Sequence, residues 1–238
     1  MKTIGLVGGM SWESTLEYYR IINETVKEKL GGFHSGQIVV YSVDFADIEL
    51  LQQRGEWDRM AEMLVEAFRR IEAAGVDFGL LCTNTMHKVF NEIRKNVRIP
   101  LVHIADVTGR AITARGLRCV GLLGTRFTME EEFYKVKLTS DYGIDVPIPD
   151  EEERQAIHAI IYNELCLGQV KDASREAFNK IIVRLEGRGA QGIILGCTEI
   201  PLLVKQKDHR LPLFDTTDLH ARAAVDLALG TELVYNPA

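Results

Sequence analysis

Short runs of apolar and β-branched residues alternate along the chain with longer stretches whose apolar positions recur at helical spacing. The apolar runs predict strands over residues 3–7, 37–42, 79–81, 101–103, 119–123, 192–195 and 213–214. Helical spacing predicts helices over 15–30, 57–74, 130–138, 151–166 and 173–188, and a last helix over 218–229. Such alternation is the pattern of βαβ units, which build a mainly parallel sheet. No linker rich in Pro, Gly or Ser interrupts it.

The pattern repeats. Ile4-Gly5-Leu6-Val7-Gly8-Gly9-Met10-Ser11 is echoed 116 positions later by Val120-Gly121-Leu122-Leu123-Gly124-Thr125-Arg126-Phe127. The segment from Gly75 through Cys82-Thr83-Asn84-Thr85 is echoed by that from Gly189 through Gly196-Cys197-Thr198-Glu199, which aligns Thr83 with Cys197 at an offset of 114. Near-equal offsets point to one duplicated half. Each half then carries an apolar strand, a turn of small residues and a helix, twice over. Its polar residues fall at the carboxyl ends of strands, where open α/β sheets bind ligands.

Composition narrows the class more than it reveals chemistry. At 238 residues the chain can form one large domain or two small ones, and 46% hydrophobic with 26% charged residues is ordinary for a globular protein. The net charge of −6 points away from nucleic acid. No apolar run reaches the ~20 residues of a membrane span, and Met1-Lys2-Thr3-Ile4 leads directly into a strand rather than a signal peptide, so no membrane partner and a cytoplasmic location are expected. Cys82, Cys119, Cys166 and Cys197 form no C-x-x-C pair, which argues against a zinc ribbon or a thioredoxin-type motif, and with no ligand cluster in the sequence neither a metal nor pyridoxal phosphate is expected.

Position singles out one thiol. In Gly196-Cys197-Thr198-Glu199-Ile200-Pro201 an apolar strand ends and Pro201 suits the first turn of a helix. A cysteine there is expected to have its pKa lowered by the helix N-terminus. Cys82-Thr83-Asn84-Thr85-Met86-His87 offers the same placement after the earlier strand, with Asn84 and Thr85 as donors to a carboxylate. Thr198, Thr125 and Thr128 can donate likewise, although Thr125 and Thr128 also suit the cap of a helix beginning near Met129. Glu199 could assist Cys197 or simply favour a helix start. His87 could contact substrate, cap, or pack in the core. The run Asp150-Glu151-Glu152-Glu153 reads as a solvated helix start.

Four motifs, Gly8-Gly9-Met10-Ser11-Trp12-Glu13-Ser14-Thr15, Cys82-Thr83-Asn84-Thr85-Met86-His87, Gly121-Leu122-Leu123-Gly124-Thr125 and Gly196-Cys197-Thr198-Glu199, together make the chain resemble the aspartate/glutamate racemase family over nearly its whole length. Within it the resemblance is greatest to the acidic-amino-acid racemases with a Thr/Cys pair. The resemblance implies an α/β fold of two similar doubly wound, flavodoxin-like parallel-sheet domains related by pseudo-twofold symmetry, here 1–98 plus 216–238 and 99–215, with the site in the cleft between them. It also implies two bases on opposite faces of the substrate α-carbon, no cofactor, and a possible homodimer. Typical members place cysteine at both positions, whereas this chain has Thr83 at the first. Cys82 precedes it by one residue, a shift that turns a strand-end side chain to the other face. A hydroxyl is a far weaker acid than a thiol, so the resemblance implies that Cys197 attacks the L-enantiomer and Thr83 returns the proton, with L-substrate preferred.

The residues expected at the substrate are Met10, Gln52, Thr83, Asn84, Thr85, Thr128, Cys166 and Thr198, with Thr83 and Cys197 catalytic. Typical aspartate racemases hold the side-chain carboxylate with a basic residue after the second strand and a lysine in the second half. The corresponding stretches here, Asp44-Phe45-Ala46-Asp47-Ile48 and Tyr162-Asn163-Glu164-Leu165-Cys166-Leu167-Gly168, contain no cation. Gln52 is the nearest donor, and Arg54, Arg126, His34 and Lys171 are candidate cations. Aspartate and glutamate together are therefore the expected substrates. Three alternatives stay open: a single-cysteine decarboxylase or maleate-type isomerase of the same fold, a dinucleotide-binding enzyme suggested by Gly5-Leu6-Val7-Gly8-Gly9 although it is not G-x-G-x-x-G, and a non-catalytic amino-acid-binding protein.

Overall fold

Among the described residues the apolar runs form seven strands: β1 (Ile4–Gly8), β2 (Ile38–Ser42), β3 (Phe78–Leu81), β4 (Leu101–Val102), β5 (Gly121–Gly124), β6 (Ile193–Gly196) and β7 (Leu213–Asp215). Between them run α1 (Trp12–Leu30), α2 (Phe45–Arg54), α3 (Trp57–Ala73), α4 (Phe90–Asn96), α5 (Ile104–Ala114), α6 (Arg126–Glu130), α7 (Glu132–Tyr142), α8 (Glu151–Asn163), α9 (Asp172–Gly187), α10 (Ile200–Leu203) and α11 (Thr216–Leu229). This computed structural model describes residues 1–231. They divide into two units, Met1–Ile104 with the described residues from His220 onward, and Ala105–Leu219. The expectation for the last residues, 232–238, lies outside the described residues.

The first unit is a parallel sheet in the order β2-β1-β3-β4. Register is set by alternation, because a slip of one residue would turn every core side chain to the wrong face. Ile4, Leu6, Phe78, Leu80 and Cys82 share a layer with Tyr18, Ile22 and Val26 of α1 and Ala221, Ala224, Val225 and Ala228 of α11. Val7 and Leu81 belong to the opposite layer, where α3 contributes Met60, Ala61, Leu64, Val65, Phe68 and Ile71 at i, i+3 and i+4 spacing. Both faces are thus covered, as a parallel sheet requires.

The second unit repeats the core pairing. β1 and β3 pair with Val7 opposite Leu81, and β5 and β6 pair with Leu123 opposite Leu195. These are the same positions of the sequence repeat, so the duplication read from the chain is a duplication of a parallel strand pair. β7 completes a three-stranded parallel sheet in the order β5-β6-β7. Asp150 and Glu153 form a reciprocal capping box at the start of α8. Glu153 is buried and paired with Arg184, which corrects the reading of that acidic run as wholly solvated.

The structure differs from the sequence reading in three further places. Cys119, expected inside a strand, makes only an isolated bridge to Asp145. The helix expected over 130–138 is two helices, α6 and α7, and the one expected over 151–166 ends at Asn163 before a short 3-10 turn, Leu165–Leu167. α2, α4 and α5 had no counterpart in the periodicity. The sequence of α5, Ile-Ala-Asp-Val-Thr-Gly-Arg-Ala-Ile-Thr-Ala, is rich in β-branched residues and contains a glycine, so its propensity is weak and packing decides. No helix among the described residues is long and apolar enough to cross a membrane.

Three glycines are required by close approach. Gly9 turns the chain out of β1 at φ 91°, and a Cβ there would collide with the Val43 carbonyl. Gly124 and Gly196 face each other across β5 and β6, where a Cβ on Gly196 would stand 2.9 Å from the Leu123 carbonyl oxygen and one on Gly124 2.8 Å from that of Gly196. Gly9→Ala and Gly196→Ala are each expected to lower stability by about 1–3 kcal/mol, seen as a lower Tm. Gly187→Ala, at the end of α9 with open space around it, is expected to leave the Tm unchanged or raise it.

Candidate active site

In the first unit the residues expected at the substrate gather at the carboxyl ends of β1 and β3. The turn after β1 is tied down by Thr15, whose hydroxyl accepts from the Gly9 N–H (2.8 Å) and donates to the Ser11 carbonyl (2.9 Å). Met10, just beyond Gly9, is buried in the cluster that holds Ile48, Leu51, Met60 and Met86. Gln52 is buried on α2, and its amide donates to the Met86 sulfur at 3.3 Å. Thr83, Asn84 and Thr85 follow β3 and lead into a 3-10 turn, Thr85–Val89; all three are buried. The Thr83 N–H donates to the Leu81 carbonyl at 2.9 Å. Its hydroxyl makes no hydrogen bond among the described residues. Cys82 lies in the apolar layer beside α1 and α11, and burial pushes its thiol pKa far up.

His87 is a core residue of this loop. One ring nitrogen lies 2.7 Å from the Thr83 carbonyl oxygen, and the other accepts from the Ile104 N–H at 3.2 Å. Periodicity offered no signal for this. The spacing did, since a side chain four residues after Thr83 can fold back on its carbonyl across one turn.

In the second unit the corresponding strand ends carry Thr125 and Thr128 after β5, and Cys197, Thr198 and Glu199 after β6. Thr125 caps α6, its hydroxyl accepting from the Thr128 N–H at 3.3 Å and lying 3.2 Å from the Thr128 hydroxyl. The capped helix therefore begins at Arg126, not near Met129. Cys166 sits in the 3-10 turn Leu165–Leu167, half-buried, close enough to Cys197 to raise its pKa.

The Cys197 thiol donates to the Glu199 carboxylate at 2.8 Å, and the Thr198 hydroxyl donates to the same oxygen at 3.0 Å. Cys197 is 6% and Glu199 2% exposed. Burial, and then the negative charge of Glu199, hold the Cys197 pKa well above the ordinary thiol value. This overturns the expectation of a thiol pKa lowered by a helix N-terminus. α10 is a single turn, Ile200–Leu203, and its field is outweighed by desolvation and an adjacent carboxylate. The resting thiol is protonated, with an acceptor in hydrogen-bond contact.

The candidate cations separate by their partners. Arg54 faces Glu56 at 3.8 Å and Lys171 faces Glu164 at 3.4 Å. Arg126 has no carboxylate partner among the described residues; its guanidinium lies over the Phe127 ring, and its N–H donates to His158 at 3.3 Å. Burial and the neighbouring Arg126 charge lower the His158 pKa, so that ring is a neutral acceptor beside the cation. His34 is exposed in the loop before β2.

The family model described as Asp/Glu/Hydantoin racemase matches residues 7–224. A crystal structure from Yersinia pestis, provisionally designated an Asp/Glu racemase, is 52% identical, covers 96% of this chain and 100% of its own, and has a TM-score of 0.89. An aspartate racemase homologue from Pyrococcus horikoshii OT3 is 36% identical with the same coverage and a TM-score of 0.83. The broad specificity amino-acid racemase RacX of Bacillus subtilis (strain 168) is 23% identical over 236 residues, 95% of this chain and 98% of its own. The β2-β1-β3-β4 order agrees with the flavodoxin-like arrangement of these proteins. On the strength of a match spanning nearly all of the two sheets and the four strand-end loops, the chain belongs to the Asp/Glu/hydantoin racemase family and is an isomerase of the Asp/Glu racemase type.

Proposed function

We propose that the enzyme racemises acidic amino acids, aspartate and glutamate, without a cofactor in the cytoplasm, with Cys197 as the base toward the L-enantiomer and Thr83 as the group acting on the opposite face. The observation that carries this reading is the buried thiol–carboxylate contact of Cys197 and Glu199 on the loop equivalent to the one bearing Thr83.

The thiol proton passes to Glu199, and the thiolate so formed takes the substrate α-proton. The Cα–H bond breaks, an S–H bond forms, and the electron pair spreads into the α-carboxylate as an enediolate. Hydroxyl, amide and backbone donors at Asn84, Thr85, Thr128 and Thr198 suit that developing charge. Thr83 then gives its hydroxyl proton to the other face of the carbon and recovers one from water, and Glu199 releases the proton it took to the hydroxide left behind, which restores the resting enzyme. In the reverse direction Thr83 would have to begin as an alkoxide with no carboxylate at its hydroxyl, which is the physical ground for L-preference. Since the racemisation equilibrium constant is one, that preference appears in kcat while kcat/KM stays equal in the two directions. Arg126, a cation beyond β5 without a carboxylate partner among the described residues, is assigned to the substrate side-chain carboxylate.

Chiral chromatography of L- and D-aspartate and L- and D-glutamate with purified enzyme tests the reaction. Higher kcat from the L-forms, lost in Cys197→Ala, is expected; no turnover of any of the four, or release of carbon dioxide from a malonate instead, contradicts the proposal. Glu199→Gln is expected to lower kcat by about 10²–10⁴. Removing the carboxylate charge also lowers the Cys197 pKa, so alkylation of that thiol at neutral pH, followed by mass spectrometry, should become faster as turnover falls. Arg126→Ala is expected to raise KM for both substrates by about 10- to 100-fold, the loss of a charged hydrogen bond, while kcat changes little.

A further inference from the structure

We infer that His87 is a positioning residue for Thr83: it ties the Thr83 carbonyl to the backbone at Ile104 and so fixes the direction of the hydroxyl that returns the proton. The inference rests on the proposed pairing of Thr83 with Cys197.

The hydrogen bonds define the state of the ring. The Ile104 N–H can only donate, so Nε2, 3.2 Å away, carries the lone pair. Nδ1 therefore carries the proton and donates to the Thr83 carbonyl at 2.7 Å. Both ring nitrogens are used by the neutral form, and no protonation change is available without breaking one contact. The ring cannot swing, since Phe90 stacks on it at 5.1 Å with planes 8° apart, and His103 packs against it at 4.5 Å. His220 stands behind at 6.2 Å, itself held by the Tyr18 hydroxyl at 2.9 Å and the Val102 carbonyl at 3.0 Å. Burial and the neighbouring histidines lower the His87 pKa, in keeping with a neutral ring.

Thr83 is thus held through its N–H by Leu81 and through its carbonyl by His87. Rotation of the peptide on either side would swing the side chain. The duplication shows that this device belongs to the threonine side. At the repeat offset of 114, His87 corresponds to Pro201 and Glu199 to Thr85. Among the described residues the thiol has a carboxylate and no histidine clamp, and the hydroxyl has a histidine clamp at its carbonyl and no carboxylate. A group that cannot be activated by a neighbouring base depends on alignment, and misplacement of about 1 Å can cost as much as 10²-fold.

The test uses L-aspartate in D2O and compares loss of the α-proton signal by NMR with conversion to the D-form by chiral chromatography. Exchange without inversion needs only Cys197, whereas conversion needs Thr83 too. His87→Gln retains an acceptor near Ile104 and withdraws the donor from Thr83; His87→Asn places an amide nitrogen near the Nδ1 position. Conversion by His87→Gln should fall about 10- to 100-fold while exchange stays within about twofold, and His87→Asn should recover most of the conversion. A parallel fall of exchange and conversion in both variants, as a purely structural role would give, overturns the inference, as does a His87→Asn variant no better than His87→Gln. Wild-type enzyme that exchanges neither L-aspartate nor L-glutamate overturns the Thr83–Cys197 reading and this inference with it, whereas wild-type racemisation with unselective His87 variants leaves that reading intact.

Discussion

The Cys197 thiol and the Glu199 carboxylate lie 2.8 Å apart, both out of water. A thiolate and a carboxylate that close would repel each other strongly in so poorly solvated a place, so the pair retains a proton and the thiol keeps it at rest. The same contact makes the proton transferable, because its acceptor is already in place. In the proposed reaction this contact is the source of the base, protonated at rest and unloaded locally. Its place follows from the end of β6 at Gly196, where the absence of a side chain lets the backbone of β5 approach.

The second constraint is duplication. β1 with β3 and β5 with β6 are the same parallel pairing at the same positions of a repeated sequence. The repeat places Thr83 and Cys197 at equivalent strand ends, and the two ends are unlike. The thiol has a carboxylate two residues on, at Glu199. The hydroxyl has Thr85 there, and its peptide is clamped by His87 instead. Racemisation has an equilibrium constant of one, so under the proposed mechanism this difference cannot favour one product at equilibrium and acts on the kcat of each direction.

Much of the fold was legible because buried parallel strands are short apolar runs bounded by glycine, and the seven expected strands coincide with the seven found to within about two residues at each end. Among the described residues Cys119 makes a single isolated bridge, to Asp145 outside any strand, and so does not extend β5. α5 was missed because its residues are poor helix formers that tertiary packing overrides. At the candidate site the repeat pointed to both loops, but not to how their side chains are paired. The electrostatics of Cys197 were misjudged because a helix start is visible in sequence, whereas the depth of burial and the reach of Glu199 are not. For His87 the four-residue spacing pointed to the Thr83 carbonyl, but its second contact, with the Ile104 N–H 17 residues further on, left no mark in the sequence.

The most direct test of the account is the steady-state kinetics of Thr83→Cys in both directions. A second thiol at the equivalent strand end should raise kcat for the D-enantiomer about tenfold or more, in keeping with a tenfold change for each ~1.4 kcal/mol of barrier, while L-directed turnover is retained and kcat/KM remains equal in the two directions. A D-directed kcat that stays at the wild-type value in a folded protein that still turns over L-substrate would contradict the claim that the chemistry of residue 83 sets the preference.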